Sequence, residues 1–205
     1  MNGLLFIRHA VTDMAGAFCG HADPPINALG AEQIGGLIAS LDAASVDAVY
    51  SSDLQRAVST AHAIAQARSA PLILRSSLRE IGFGEWEGLR WSEIERRDPV
   101  YARRWVAAFP HLPAPGGESF ASFEARVLRE VDALLVLAQH RRIAVVTHGG
   151  VMRAVLRSLL GCTEEETWQR TSDYCCRFTL PANAVTQPTT RQAILKSAPC
   201  EGERP

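Results

Sequence analysis

The chain lacks a long hydrophobic run, an excess of either charge and any paired-cysteine motif. No segment reaches the ~18 consecutive apolar residues of a membrane-spanning helix, so no membrane partner is expected. Lysine and arginine number 21 against 22 aspartates and glutamates, a net charge of −1. With no basic surplus, nucleic acid is not an expected partner, and any positive site must be local. The five cysteines, Cys19, Cys162, Cys175, Cys176 and Cys200, contain no CxxC spacing, and an odd count argues against a disulfide framework. Packing is their ordinary role, and a cytoplasmic location fits this usage. The N-terminus lacks a basic region, a long apolar stretch and a small-residue cleavage site, so no signal peptide is expected.

What is present is an ordinary balance of 47% apolar and 21% charged residues over 205 positions. That length suggests a single domain, 1–205, able to bury roughly 70% of the unfolded chain's surface. "LLFI" (4–7) is a short unalternating apolar run, the pattern of a strand buried on both faces. Residues 27–41 place Leu29, Ile34, Leu37, Ile38 and Leu41 at mostly helical spacing, with Asn27 as a cap. A strand over 46–52, a helix over 53–67 and a strand over 71–77 follow. Residues 82–118 break the alternation and predict an insertion of short helices and a loop that covers the site. A long helix over 119–139, a strand within 142–150 and a helix over 151–161 stopped by Gly161 restore it. Late strands are expected at 175–181 and 191–196, with a loose tail after Pro199. Strands alternating with helices predict an α/β fold with a parallel sheet, whose ligands sit beyond the carboxyl ends of the strands.

Chemistry-bearing residues gather at those ends. Arg8 and His9 close the first strand, and Thr147 and His148 close "RIAVVT", followed by two glycines that allow close backbone approach. Arg56 falls near the start of the helix after the second strand, facing the same edge. Glu80, Glu85 and Glu87 lie in the glycine-punctuated "LREIGFGEWEGL" (78–89), and one of them is a candidate proton donor if that loop folds over the site. Taken singly, each has an ordinary structural role. His62, His111 and His140 lie in no ligand pattern and are assigned no site, and no metal site is expected.

Taken together, the four segments resemble the histidine phosphatase superfamily, whose best-known branch holds the phosphoglycerate mutases. Arg8-His9-Ala10 matches the family's Arg-His-Gly. "SDLQRAVSTA" supplies Arg56, "LREIGFGEWEG" supplies Glu80, "THGG" supplies His148, and "PGGES" (115–119) recurs there too. The resemblance spans residues 4 to about 160 in order. It implies a three-layer α/β/α sandwich with a mostly parallel central sheet. Two departures stand out. Ala10 replaces the family glycine, which costs energy only if that backbone needs positive φ. Mutases continue with Glu-Ser-x-x-Asn, where this chain has Val11, Thr12 and Ala15.

The resemblance implies a metal-independent phosphomonoesterase without a cofactor, acting on a small phosphomonoester. His9 attacks phosphorus and becomes phosphohistidine. Arg8, Arg56, His148 and Thr12 bind the phosphoryl group, a dianion near pH 7 that suits guanidinium forks. Glu80 gives a proton to the leaving alkoxide and takes one back from water. Cys19, Gly20 and His21 are placed at the pocket rim, and Trp86, Trp91, Trp105 and Phe109 are candidates for the leaving-group side, with core packing expected of at least two. The alternatives are a cofactor-dependent phosphoglycerate mutase and a non-catalytic phosphoryl-ligand-binding domain. The length and "GHADPPIN" are similar to α-ribazole phosphatases and equally to broad-specificity sugar-phosphate phosphatases, with α-ribazole 5′-phosphate the first candidate substrate. A homodimer is one assembly open to such a chain.

Overall fold

Leu4, Phe6 and Ile7 are fully buried in β1 (Gly3–Arg8), one strand in from the edge of a five-stranded sheet. The computed structural model describes residues 3–41 and 46–182. β2 (Ala48–Ser51), β3 (Leu72–Leu74) and β4 (Arg142–Thr147) run parallel to β1 in the order β3-β2-β4-β1. β5 (Arg177–Pro181) closes the other edge antiparallel to β1. Its residues alternate between exposed and buried, as a strand with one wet face should. The register runs from Gly3 opposite Arg142 to Arg8 opposite Thr147, so β1 and β4 end level.

Successive residues of these strands serve opposite layers. On one face Ile7, Val49, Ala144 and Val146 pack under α1 (Ala28–Ser40) and α2 (Gln55–Arg68). On the other, Leu4, Phe6, Ile143 and Val145 pack under α5 (Phe120–Ala138) and α6 (Gly149–Leu160). α5 buries Phe123, Val127, Val131, Leu134 and Leu135, a stripe at helical spacing. Each such side chain contributes about 1.5–3 kcal/mol relative to exposure. The result is the three-layer α/β/α sandwich with a mostly parallel sheet. The chain leaves β1 toward α1 on one face and leaves β4 into α6 on the other. Their shared carboxyl end is therefore the crevice where an α/β sheet holds its ligand.

Several boundaries differ from the expected ones for local reasons. Cys175 takes a left-handed φ of 57°, so the strand expected from 175 begins at Arg177. The helix expected from 151 begins at Gly149, taking both glycines into its first turn, and Gly161 ends it at φ 65°. The strand expected over 71–77 stops at Leu74, before a 3₁₀ turn at Ser76–Leu78. The 82–118 segment holds a 3₁₀ turn (Gly84–Trp86), α3 (Trp91–Arg97) and α4 (Pro99–Ala108). A further helix, α7 (Glu164–Thr171), was not foreseen. The strand expected at 191–196, the tail and Cys200 lie outside the described residues. Among the described residues no helix is long and apolar enough to cross a membrane.

Candidate active site

His9 is the first residue past β1, and its backbone N–H still bonds the Thr147 carbonyl of β4 (2.9 Å). The sheet thus fixes its main chain. Its ring is 7% exposed, with Nδ1 2.7 Å from the carbonyl oxygen of Ala10. A carbonyl accepts only, so Nδ1 carries the proton and Nε2 holds a free lone pair. Burial first, then the positive charge of Arg56 and to a lesser degree Arg8, drives the imidazole pKa down to about 3, against the raising effect of the Ala10 contact. Ala10 has no positive φ, so the absent family glycine carries no backbone penalty here.

The second imidazole stands beside it. His148, 1% exposed, has its ring centroid 5.0 Å from that of His9. Burial and then the neighbouring His9, Arg56 and Arg8 hold its pKa well below the usual 6.5. Ser52 Oγ lies 2.9 Å from Nε2, while Nδ1 is buried without a partner. When the Ser52 hydroxyl donates to Nε2, the proton sits on Nδ1 and remains available as a donor.

Two guanidiniums complete the cluster, each gripped by backbone carbonyls. Arg56 is fully buried, with Nη1 donating to the Ala22 carbonyl (2.6 Å) and Nη2 to those of Gly20 (2.8 Å) and Cys19 (3.2 Å). Arg8 donates from Nη1 to the carbonyls of Thr171 (2.9 Å) and Ser172, and its guanidinium carbon stacks 4.1 Å over the Tyr174 ring. In both, Nε is buried and unpartnered. Three unsatisfied buried donor nitrogens in one electropositive cluster are the mark of an anion site.

Glu80 reaches this cluster from the loop after the Ser76–Leu78 turn. Its Oε1 accepts the Ile81 N–H (3.0 Å) and its Oε2 the Gly150 N–H (2.8 Å). A Cβ on Gly150 would fall onto that carboxylate, so the second glycine of "THGG" is what lets it in. Arg126 of α5 holds the Glu80 segment from behind, donating to the carbonyls of Arg79 (2.8 Å), Glu80 (2.9 Å) and Ser77 (3.0 Å) while paired with Glu118 of "PGGES" (2.7 Å). Glu85 is exposed.

An open cleft of about 490 Å³ sits over these groups, lined by Arg8, His9, Thr12, Cys19 and Glu80 among others. Arg56 and His148 abut His9 below it rather than lining it. The Thr12 hydroxyl accepts the Met14 N–H (3.3 Å). Of the three residues expected at the rim, Cys19 lines the cleft. Gly20 and His21 do not: Gly20 is buried, with its carbonyl on Arg56, and His21 is exposed, with its ring nitrogen Nε2 turned to the Glu80 carbonyl (3.1 Å). A second cavity of about 350 Å³ shares the Phe18, Glu80, Phe83, Trp91 and Arg153 walls and continues into Trp105, Phe109 and Phe120. Trp86 turns away into a small core with Ile94, Ala102 and Ala114.

The family model described as "Histidine phosphatase superfamily (branch 1)" matches residues 4–185. The chain belongs to that superfamily. This histidine phosphatase is 31% identical to the adenosylcobalamin/alpha-ribazole phosphatase of Escherichia coli K12, over 88% of this chain and 90% of the relative. It is 32% identical to phosphoserine phosphatase 1 of Hydrogenobacter thermophilus, over 82% and 81%. The crystal structure of the alpha-ribazole phosphatase from Shigella flexneri superposes with a TM-score of 0.76 at 33% identity, over 85% of this chain and 87% of that one. The chain is a phosphatase.

Sequence reasoning passed over the α7 region. Arg153 and Trp168 line both cavities, with the Arg153 guanidinium carbon 4.0 Å over the Trp168 ring, and Tyr174 backs Arg8. A signal was present. Thr163 and Glu166 form a capping box, Thr163 N–H to Glu166 (2.7 Å) and Glu166 N–H to Thr163 (3.3 Å), the S/T-x-x-E pattern that starts a helix.

Proposed function

We propose that the chain hydrolyses a small phosphomonoester through a phosphohistidine at His9, without a metal, and that α-ribazole 5′-phosphate is its substrate. The observation that carries the mechanism is the Nδ1-to-Ala10 hydrogen bond, which leaves Nε2 as a nucleophile in an electropositive pocket. Nε2 attacks phosphorus, the P–O ester bond breaks, and the leaving oxygen takes a proton from Glu80. Water then gives a proton to the Glu80 carboxylate and attacks phosphorus. The P–N bond breaks, inorganic phosphate leaves, and both groups return to their starting forms. Arg8, Arg56 and His148 stabilise the charge that spreads over the equatorial oxygens as the bonds exchange. Thr12 adds a hydroxyl at the edge.

Two observations support the substrate. The relatives include α-ribazole phosphatases from Escherichia coli and Salmonella typhimurium. The aromatic cavity behind Glu80 suits a planar ring, such as the benzimidazole of α-ribazole, and offers a small amino-acid phosphate little to touch. The same reading puts the enzyme in a reducing cytoplasm, where its cysteines stay thiols.

The test is phosphate release from a metabolite panel that includes α-ribazole 5′-phosphate, phosphoserine and 3-phosphoglycerate with its bisphosphate, in the presence of EDTA. Turnover persists in EDTA, is best with the ribazole ester, and falls at least about 10³-fold in H9A. Comparable turnover by H9A overturns the mechanism. Preference for phosphoserine overturns the substrate, and isomerisation of 3-phosphoglycerate favours a mutase. Phosphate binding with no turnover favours a non-catalytic domain.

A further inference from the structure

Glu87 follows the Gly84–Trp86 turn, half-buried, and takes no part in the chemistry above. Its carboxylate accepts four backbone N–H groups. Oε1 takes those of His21 (2.8 Å) and Phe83 (2.8 Å), and Oε2 those of Ala22 (2.9 Å) and Gly20 (3.0 Å). Charge-assisted bonds of this kind are roughly twice as strong as neutral ones. Three of them go to one loop, residues 20–22, which lies in irregular chain between Thr12 and Ile26. A Cβ on Gly20 would strike both the Ile81 carbonyl and the Glu87 carboxylate, so the close approach requires glycine there.

The same loop holds Arg56, and through the same peptide units. The Gly20 N–H and the Cys19 C=O belong to one peptide plane, and the His21 N–H and the Gly20 C=O to the next. In a trans peptide these groups point opposite ways. Each plane thus presents its N–H to the Glu87 carboxylate and its C=O to the Arg56 guanidinium. An anion on one side and a cation on the other polarise the peptide between them in the same sense, and each contact strengthens the other. With three of the five guanidinium N–H groups drawn to the loop, the buried Nε–H is left without a partner.

We propose that Glu87 is a positioning residue for Arg56: acting through the 19–20 and 20–21 peptides, it sets the orientation in which Arg56 meets the phosphoryl group. This rests on the reading of Arg56 as a phosphoryl clamp. Loss of the carboxylate frees the loop and lets the guanidinium turn, while His9 keeps its bond to the Ala10 carbonyl and the Glu80 carboxylate keeps the Ile81 and Gly150 N–H groups.

The experiment is a double-mutant cycle on the full chain with E87Q, R56A and both together. It reads kcat/KM for a phosphomonoester, inhibition by orthovanadate as a five-coordinate phosphoryl mimic, and thermal midpoint. E87Q weakens kcat/KM and vanadate inhibition by a similar factor, roughly 10- to 100-fold, as misplacement of a reacting-centre contact does. In the R56A background E87Q costs less than about threefold more, because what it positions is gone. E85Q, on the exposed neighbour, changes neither reading. If E87Q is too unstable to assay, E87D carries the same cycle, since it keeps the charge but shortens the reach to the loop. A purely structural loss multiplies equally in both backgrounds, and that result overturns the positioning role while leaving the Arg56 clamp intact. If R56A alone changes neither kcat/KM nor vanadate inhibition, the clamp reading itself falls, and this proposal with it.

Discussion

Single hydrogen atoms and single methyl groups decide whether this site works. The proton on Nδ1 of His9 makes Nε2 a lone-pair donor, and a missing Cβ at Gly150 makes room for Glu80. G150A tests the second point. The added methyl displaces the Glu80 carboxylate and breaks its 2.8 Å bond to the residue-150 N–H. A proton-transfer group moved by about 1 Å costs on the order of 10²-fold. The expected result is therefore a fall of that size in kcat, with a much smaller change in KM. Steady-state kinetics on purified G150A check it, and an unchanged kcat would remove Glu80 from the chemistry. Neither feature is visible in composition, yet both residues concerned, His9 and Gly150, stand in the motifs "RHA" and "THGG".

At the scale of elements, α7 does more for the site than its eight residues suggest. The carbonyl of its last residue, Thr171, and that of the following Ser172 hold Arg8, and Trp168 stacks with Arg153 at the junction of the two cavities. The helix is short, so its N-terminal cap matters. Replacing Thr163 with alanine removes half of the capping box, at a cost of about 1 kcal/mol. The expected fall in melting temperature is roughly 2–4 °C for a chain of this size. Urea or thermal unfolding of T163A measures it, and a wild-type midpoint would show that α7 is held by packing alone. The helices expected from periodicity, α1, α2, α5 and α6, are found to within a few residues because each shows an apolar stripe to the sheet. α7 escaped notice because its buried residues, Thr167 and Thr171, are polar and leave no such stripe.

At the scale of the whole molecule, the cluster makes folding depend on pH. His9 has an ordinary pKa of 6.5 in the unfolded chain and about 3 in the folded one, and His148 is displaced in the same direction. Between those pH values the unfolded chain binds protons that the folded chain refuses. Stability from this source is therefore fully present above about pH 6.5 and is lost as pH falls toward 3. The loss is on the order of a few kcal/mol. Urea midpoints followed from pH 7.5 to pH 4 should fall in the wild type and fall less steeply in H9N. Parallel curves would mean that the buried histidines do not govern acid stability.

The amino-acid order by itself determined the layers, the parallel sheet and the residues that meet at its edge. Burial on both faces of β1 and β4 demands unbroken apolar runs, and a strand that ends a run aims the next residue at the crevice. Arg8, His9 and His148 were readable for that reason, while Arg56 and Glu80 were marked by the resemblance of their motifs to those of the histidine phosphatases. The tertiary structure alone decided which atoms of these residues are free to act. The Ala10 carbonyl selects the tautomer of His9, the carbonyls of Cys19, Gly20 and Ala22 hold Arg56, those of Thr171 and Ser172 hold Arg8, and the Glu87 carboxylate fixes one of those loops. Each such contact has a peptide group as one partner, and every residue carries that group alike, so the pattern of side chains does not record it.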